Sequence, residues 1–68
     1  MMTFELTEEY IELIRLLKVT RIADSGGMAK MLVENGEVLR NGETEFRKRA
    51  KIRKGETIEA GGETILIR

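Results

Sequence analysis

The chain changes from a helical to an extended pattern within the stretch Asn35-Gly36-Glu37-Val38-Leu39-Arg40-Asn41-Gly42. Apolar residues recur at helical spacing before this stretch and at alternate positions after it. Gly36 suits the left-handed conformation that ends helices. Asn41-Gly42 is a strong signal for a tight hairpin, because both positions tolerate positive φ. The stretch therefore predicts a helix over residues 26–35, followed by a hairpin with strands Glu37–Arg40 and Glu43–Phe46 in which Val38 points inward.

The segment before this helix predicts one strand and a first helix. Alternation over Met2–Leu6 is typical of a short strand. Thr7 is a candidate N-cap, because two glutamates follow it where the helix dipole favours negative charge. Leucines and isoleucines then recur at helical spacing, which predicts a first helix over residues 8–18. In the connector, residues 19–24, we expect three apolar side chains to point inward: Val19, Ile22 and Ala23.

Two further strands complete the predicted fold. Glu56–Ala60 and Glu63–Arg68 both alternate, and Gly61-Gly62 joins them as a turn. The order is strand, helix, helix and then several short strands. We therefore predict an α+β fold in which two helices pack on a small antiparallel sheet with an added N-terminal strand. We expect the whole of 1–68 to form one domain.

Composition excludes several classes of chemistry. The 68 residues contain no cysteine and no histidine, so a disulfide framework, an imidazole or thiolate metal site and a histidine-activated nucleophile are all excluded. We expect neither an enzyme nor a cofactor. The sequence also lacks an apolar run long enough to span a membrane and the pattern of a secretory signal, so we expect a cytoplasmic protein.

The charge is distributed unevenly along the chain. Its formal net charge is zero, yet residues 40–54 contain seven basic and two acidic side chains. The densest part is Arg47-Lys48-Arg49-Ala50-Lys51, called the basic segment below. Such asymmetry indicates a localised anion-binding surface, and a solvated loop is an equally open explanation of a charge run by itself.

The start of the second helix is a second candidate for anion binding. Ser25 is the N-cap candidate, and Gly26 and Gly27 occupy the first turn. Glycine is unfavourable in helices, but without a Cβ it lets a phosphate approach the free amides at a helix N-terminus. Lys30 lies one turn further on. An alternative explanation is tight packing of the first helix against the two glycines.

Several local patterns together resemble the S4-type RNA-binding domain, also called the αL motif. A leucine-rich first helix is followed by a serine, an alanine-leucine face, a Gly-x-Val exit, an Asn-Gly hairpin and a Gly-acidic turn before a strand. These are Leu13, Leu16 and Leu17; Ser25; Ala29 and Leu32; Gly36-Glu37-Val38; Asn41-Gly42; and Gly55-Glu56 before Ile58. With its N-terminal strand and basic segment, the chain is similar to the small stand-alone bacterial S4-like proteins. Gly26 departs from the arginine that many S4 domains carry there, which shifts the expected contact to backbone amides and Lys30.

The resemblance implies a protein that binds structured RNA, such as ribosomal or transfer RNA. A monomer is the default expectation, and the sequence leaves open whether the protein acts alone, on the ribosome or beside an RNA-modifying enzyme. The three aromatic residues Phe4, Tyr10 and Phe46 fall at predicted core or marginal positions, so we expect recognition of phosphates and shape rather than base stacking. The hypothesis requires the start of the second helix and the basic segment to lie side by side. The candidate RNA-binding residues are Lys18, Ser25, Gly26, Gly27, Lys30, Arg40, Arg47, Lys48, Arg49 and Lys51.

Two alternatives remain open from the sequence. Two successive helices are compatible with a DNA-binding helix-turn-helix, although the connector is long for that motif and few base-reading side chains follow. A basic surface could also bind an acidic protein partner, which would make the chain a protein-interaction module.

Overall fold

The structure is a computed structural model that describes residues 1–68, and it contains two helices and seven short strands. The helices are α1 (Leu13–Val19) and α2 (Gly26–Glu34). The strands are β1 (Met2–Phe4), β2 (Ile11–Glu12), β3 (Leu39–Arg40), β4 (Glu43–Thr44), β5 (Lys51–Ile52), β6 (Thr57–Ala60) and β7 (Glu63–Ile67). This composition confirms the predicted α+β class.

Five strands form the main sheet, in the order β1-β7-β6-β3-β4. β7, β6, β3 and β4 pair antiparallel. The N-terminal strand is present as predicted. It lies at one edge of the sheet and runs parallel to β7, with Met2 opposite Ile65 and Phe4 opposite Ile67. The sheet is therefore mixed.

The first helix begins later than the sequence predicted. Ile11 and Glu12 form β2, which pairs antiparallel with β5 through Ile11–Ile52 and Glu12–Lys51. α1 starts only at Leu13, so the prediction of Thr7 as its N-cap and of a helix from residue 8 was wrong. Pairing with a strand forty residues away in the chain overrides the local helical pattern, because it buries Ile11 and Ile52 together in the core.

The second helix begins at Gly26 and buries the face that the sequence predicted, and it ends one residue earlier than predicted, at Glu34. The Ser25 hydroxyl accepts a hydrogen bond from the Met28 amide at 3.1 Å, which makes Ser25 the N-cap. The buried side chains are Ala29, Leu32 and Val33. Beyond the helix, Gly36 has a φ of +74°, the left-handed conformation expected at a helix end.

The Asn41-Gly42 hairpin is also confirmed. Asn41 and Gly42 have φ values of 51° and 87°, which join β3 to β4 in a tight turn. The Asn41 side-chain oxygen accepts a hydrogen bond from the Thr57 amide at 2.9 Å, and the Asn41 amide donates to the Thr57 carbonyl at 2.8 Å. The turn is thereby attached to β6.

The helices pack on the sheet around one core whose sixteen buried residues are all apolar, so no buried charge has to be neutralised. The predictions that Val19 points inward and that Phe46 lies in the core or at its margin were wrong. Val19 is 51% exposed, because it is the last residue of α1 and the chain turns at Arg21, whose φ is 63°. Phe46 is 64% exposed, because β4 ends at Thr44 and the chain leaves the sheet before it. Ala23 is buried and Ile22 half-buried, as predicted.

Neither helix has the length and apolar character that a membrane crossing requires.

Candidate nucleic-acid interface

The basic segment borders a shallow surface depression of about 500 Å³. Its lining residues are Arg40, Arg47, Arg49, Ala50, Lys51 and Arg53. Five of the six are cationic and none is acidic, so the depression has the electrostatic character of an anion-binding surface. We call it the basic depression.

The backbone of the basic segment is fixed against the start of α1. The Leu13 amide donates to the Ala50 carbonyl at 2.9 Å, and the Ile14 amide donates to the Lys48 carbonyl at 3.2 Å. Amides at a helix start have no partner inside the helix, and these two carbonyls satisfy them in place of a capping side chain. Ala50 is buried, so the chain is held at this point while the side chains on either side extend into solvent.

Arg40 was a predicted RNA contact, but its guanidinium is engaged within the protein. It donates to the Glu56 carboxylate at 2.6 Å, to Glu45 Oε1 at 3.1 Å and to the Lys51 carbonyl at 2.9 Å. The hydrogen bond to Glu56, with a smaller contribution from Glu45, raises the pKa of Arg40 above its ordinary value. Its role is to connect β3 to the basic segment, so we remove it from the candidate contacts.

Three side chains of the basic segment pair with carboxylates from elsewhere in the fold. Arg47 lies 3.2 Å from Glu45, Lys48 lies 2.6 Å from Glu34, and Arg49 lies 3.1 Å from Glu12. The cationic side chains are 75%, 42% and 80% exposed respectively. Exposed ion pairs add little to stability, so a phosphate can replace Glu34 and Glu12 at little cost. Glu45 is only 11% exposed and holds Arg47 more firmly.

The electrostatic coupling is strongest at Glu45. The hydrogen bond from the Arg47 side chain, followed by bonds from the Arg47 amide and from Arg40, lowers the pKa of Glu45 from 4.5 to about 2. Glu45 therefore stays ionised at neutral pH and holds Arg47 in place beside the basic depression.

Tyr10 lies beside two of the cations that line the depression. Lys51 Nζ lies 5.1 Å and the Arg53 guanidinium carbon 5.7 Å from the centre of its ring, within the range of cation–π attraction. Arg53 was not among the predicted site residues. The alternation Arg49-Lys51-Arg53 was the signal that would have found it, because alternate residues of an extended segment share a face.

The start of α2 brings together the other predicted contacts. Gly26 lies beside the aliphatic stem of Lys18, and a Cβ added at Gly26 would lie 4.0 Å from Lys18 Cδ. A Cβ at Gly27 would meet only Ser25 Oγ, at 3.9 Å. Neither glycine is therefore required by tight packing of α1. Lys30 is exposed one turn further along.

The two cationic groups do not converge as the sequence predicted. The basic segment contacts the opposite end of α2, where Lys48 reaches Glu34. Gly26 and Glu34 are eight residues apart, which is about 12 Å along a helix. The exposed face of α2 links the two groups, because Lys30 and Glu34 are neighbours one turn apart. Lys48 first and Lys30 to a smaller extent lower the pKa of Glu34. The predicted single patch is therefore two patches, at either end of one helix face.

Comparison with known proteins gives consistent matches over almost the whole chain. A sequence model described as the S4 domain matches residues 4–68. One relative is YbcJ of Escherichia coli (strain K12), which is provisionally named an RNA-binding protein. It is 37% identical over 68 residues, which cover 98% of this chain and 97% of YbcJ. YbcJ of Shigella flexneri, which carries no functional name, matches with the same identity and coverage.

A solved structure agrees in fold as well as in sequence. The solution structure of E. coli YbcJ is described as revealing an αL motif involved in RNA binding. It superposes with a TM-score of 0.73 at 36% identity, covering 96% of this chain and 84% of that chain. With the match over residues 4–68 and the order of helices and strands described above, these likenesses establish that the chain belongs to the S4 domain family.

Proposed function

We propose that this protein binds the phosphate backbone of folded RNA and acts by binding rather than by catalysis. The basic depression is the observation that carries this proposal. Arg47, Arg49, Lys51 and Arg53 surround it with exposed or partly exposed charge, and no acidic residue lines it. Arginine binds phosphate oxygens with two parallel hydrogen bonds, while lysine contributes a mobile point charge.

The relatives support the same conclusion. E. coli YbcJ is named provisionally for RNA binding, and the description of its structure links the αL motif to RNA binding. The present chain aligns with it over almost its full length. We infer that the ligand is a folded RNA, such as ribosomal or transfer RNA. The protein binds it as a monomer, either alone or beside the ribosome or an RNA-modifying enzyme. Contacts to phosphates and 2′-hydroxyls suit the backbone of folded RNA.

A charge reversal in the basic depression tests the proposal. The double variant Arg47→Glu, Lys48→Glu should abolish binding to a labelled, folded transfer RNA in a fluorescence anisotropy titration, because two phosphate contacts become repulsive. A matched control is Arg21→Glu, Arg68→Glu, which makes the same change of net charge at two exposed arginines that form no ion pair. The control should bind nearly as well as the unaltered protein.

Further measurements separate the proposal from other kinds of binding. RNA affinity should fall with added salt with a log–log slope of about −0.7 to −0.9 per phosphate contacted. Duplex DNA should compete poorly with the folded RNA. The proposal would be wrong if both double variants bound equally well, or if DNA were preferred. A cellular partner captured after nuclease treatment, and lost in the Arg47→Glu, Lys48→Glu variant, would instead indicate an acidic protein ligand.

A further inference from the structure

Phe46 is the one aromatic residue among the largely exposed apolar side chains. The others are Met1, Val19 and Met31, whereas the remaining aromatic residues Phe4 and Tyr10 are half-buried. Single exposed apolar residues are common on proteins, so exposure alone does not identify a site. The surroundings of Phe46 do more, because they support the ring on one side and place two cationic residues directly after it in the chain.

The ring lies against Gly36, in the turn that follows α2. A Cβ added at Gly36 would lie 3.4 Å from Phe46 Cε1, 3.6 Å from Cζ and 3.8 Å from the methyl group of Thr44. The residues on either side of Phe46 are hydrogen-bonded: the Glu45 amide donates to the Val38 carbonyl, and the Arg47 amide donates to Glu45 Oε2, both at 3.0 Å. The ring is therefore supported on one side and 64% exposed overall. A ring held in this way loses little conformational entropy when a ligand stacks on it.

Two cationic residues follow Phe46 in the chain. Arg47 follows Phe46 directly and is 75% exposed. Lys48 reaches Glu34, two residues before the Gly36 on which the ring rests. An aromatic surface next to exposed cations fits a nucleotide, whose base is a flat apolar ring and whose phosphate is an anion.

We propose that Phe46 stacks on an unpaired base of the bound RNA while Arg47 and Lys48 hold the neighbouring phosphates. This inference rests on the proposed function and narrows its ligand from folded RNA in general to a helical RNA with an unpaired nucleotide, such as a bulge or loop. Bases inside a continuous duplex are stacked on each other and do not offer a free face. A phenyl ring makes no hydrogen bonds to base edges, so the contact tolerates any base.

The test compares two RNAs and two variants. The probes are a blunt RNA duplex and the same duplex with a single bulged adenosine. Phe46→Leu keeps an apolar side chain but removes the aromatic face. It should weaken binding to the bulged RNA ~5- to ~150-fold, the range measured for removing an aromatic stacking partner. It should leave affinity for the blunt duplex, and the urea midpoint of the protein, unchanged.

Phe46→Trp provides a gain-of-signal control. It should retain tight binding to the bulged RNA, and because the chain has no other tryptophan, its fluorescence reports on the contact alone. The bulged RNA should quench this fluorescence more strongly than the blunt duplex.

The outcomes distinguish this inference from the proposed function. Binding of both RNAs by the unaltered protein, with no effect of Phe46→Leu, overturns base stacking and leaves backbone binding in place. An equal loss on both RNAs also overturns it, since the contact would not depend on an unpaired base. Self-association that disappears in Phe46→Leu would assign the ring to a second copy of the chain. If the unaltered protein binds neither these RNAs nor transfer RNA, the proposed function fails as well.

Discussion

Replacing Glu45 by glutamine should make the stability of the protein less dependent on acid pH. The Glu45 side chain is only 11% exposed and bridges Arg40 and Arg47. Arg47, through its side chain and amide, and then Arg40 lower the Glu45 pKa from 4.5 to about 2. A carboxyl whose pKa is lower in the folded chain stabilises the fold above its unfolded pKa, and this stabilisation is lost as pH falls through the folded pKa.

The size of the effect follows from the pKa change. At 1.36 kcal/mol per pKa unit, a lowering from 4.5 to about 2 corresponds to about 3 kcal/mol at pH 7. Solvent at the exposed edge of the network screens part of this, so we expect ~1–3 kcal/mol. The window of loss lies between about pH 5 and pH 2, and roughly half of the effect should be gone at pH 3.

The assay is urea unfolding followed by far-UV circular dichroism at several pH values from 7 to 3. At pH 7, Glu45→Gln should be less stable than the unaltered protein by the amount given above, and the difference should shrink steadily towards pH 3. Glu63→Gln is the matched control, because Glu63 is exposed at the start of β7 and forms no ion pair. A difference between Glu45→Gln and the unaltered protein that stays constant with pH would refute this reasoning.

Two further predictions concern RNA affinity. Gly27→Asp should weaken RNA binding several-fold and stabilise α2 slightly, because a carboxylate repels a phosphate but suits a helix N-terminus. The control Gly27→Asn should weaken RNA binding less. Equal RNA affinities of the two variants in a titration would exclude the start of α2 from the interface. Glu34→Gln should strengthen binding a few-fold at low salt, because it releases Lys48 from an exposed ion pair of 2.6 Å. An affinity equal to that of Glu63→Gln would mean that this pair does not compete with RNA.

The parts of the fold that depend on near neighbours in sequence could be predicted. Ser25 and Gly36 delimit α2 by capping and by a left-handed turn, and Asn41-Gly42 forms its hairpin, because each signal acts over a few residues. The β2–β5 pair could not be predicted in this way. It joins Ile11 to Ile52, and nothing in the residues around either position shows that the other one lies opposite.

The same distinction between near and distant neighbours in sequence applies to the candidate site. The basic segment was visible as a run of charge, and its exposure at Arg47 and Arg49 agrees with that prediction. The engagement of Arg40 was not visible, because its partner Glu56 lies sixteen residues away in the chain. The side-by-side arrangement of the two cationic groups was wrong because the basic segment packs at the start of α1 and contacts the C-terminal end of α2.

The parallel pairing of β1 with β7 ties the two ends of the chain to each other. The Leu6 amide donates to the Arg68 carbonyl at 2.7 Å, and the Arg68 amide donates to the Phe4 carbonyl at 2.9 Å. During synthesis, β1 therefore has no partner until β7 has left the ribosome. Bringing β1 and β7 together closes a long loop, which costs conformational entropy and slows folding. Until β1 covers it, the edge of β7 stays open for pairing with another molecule.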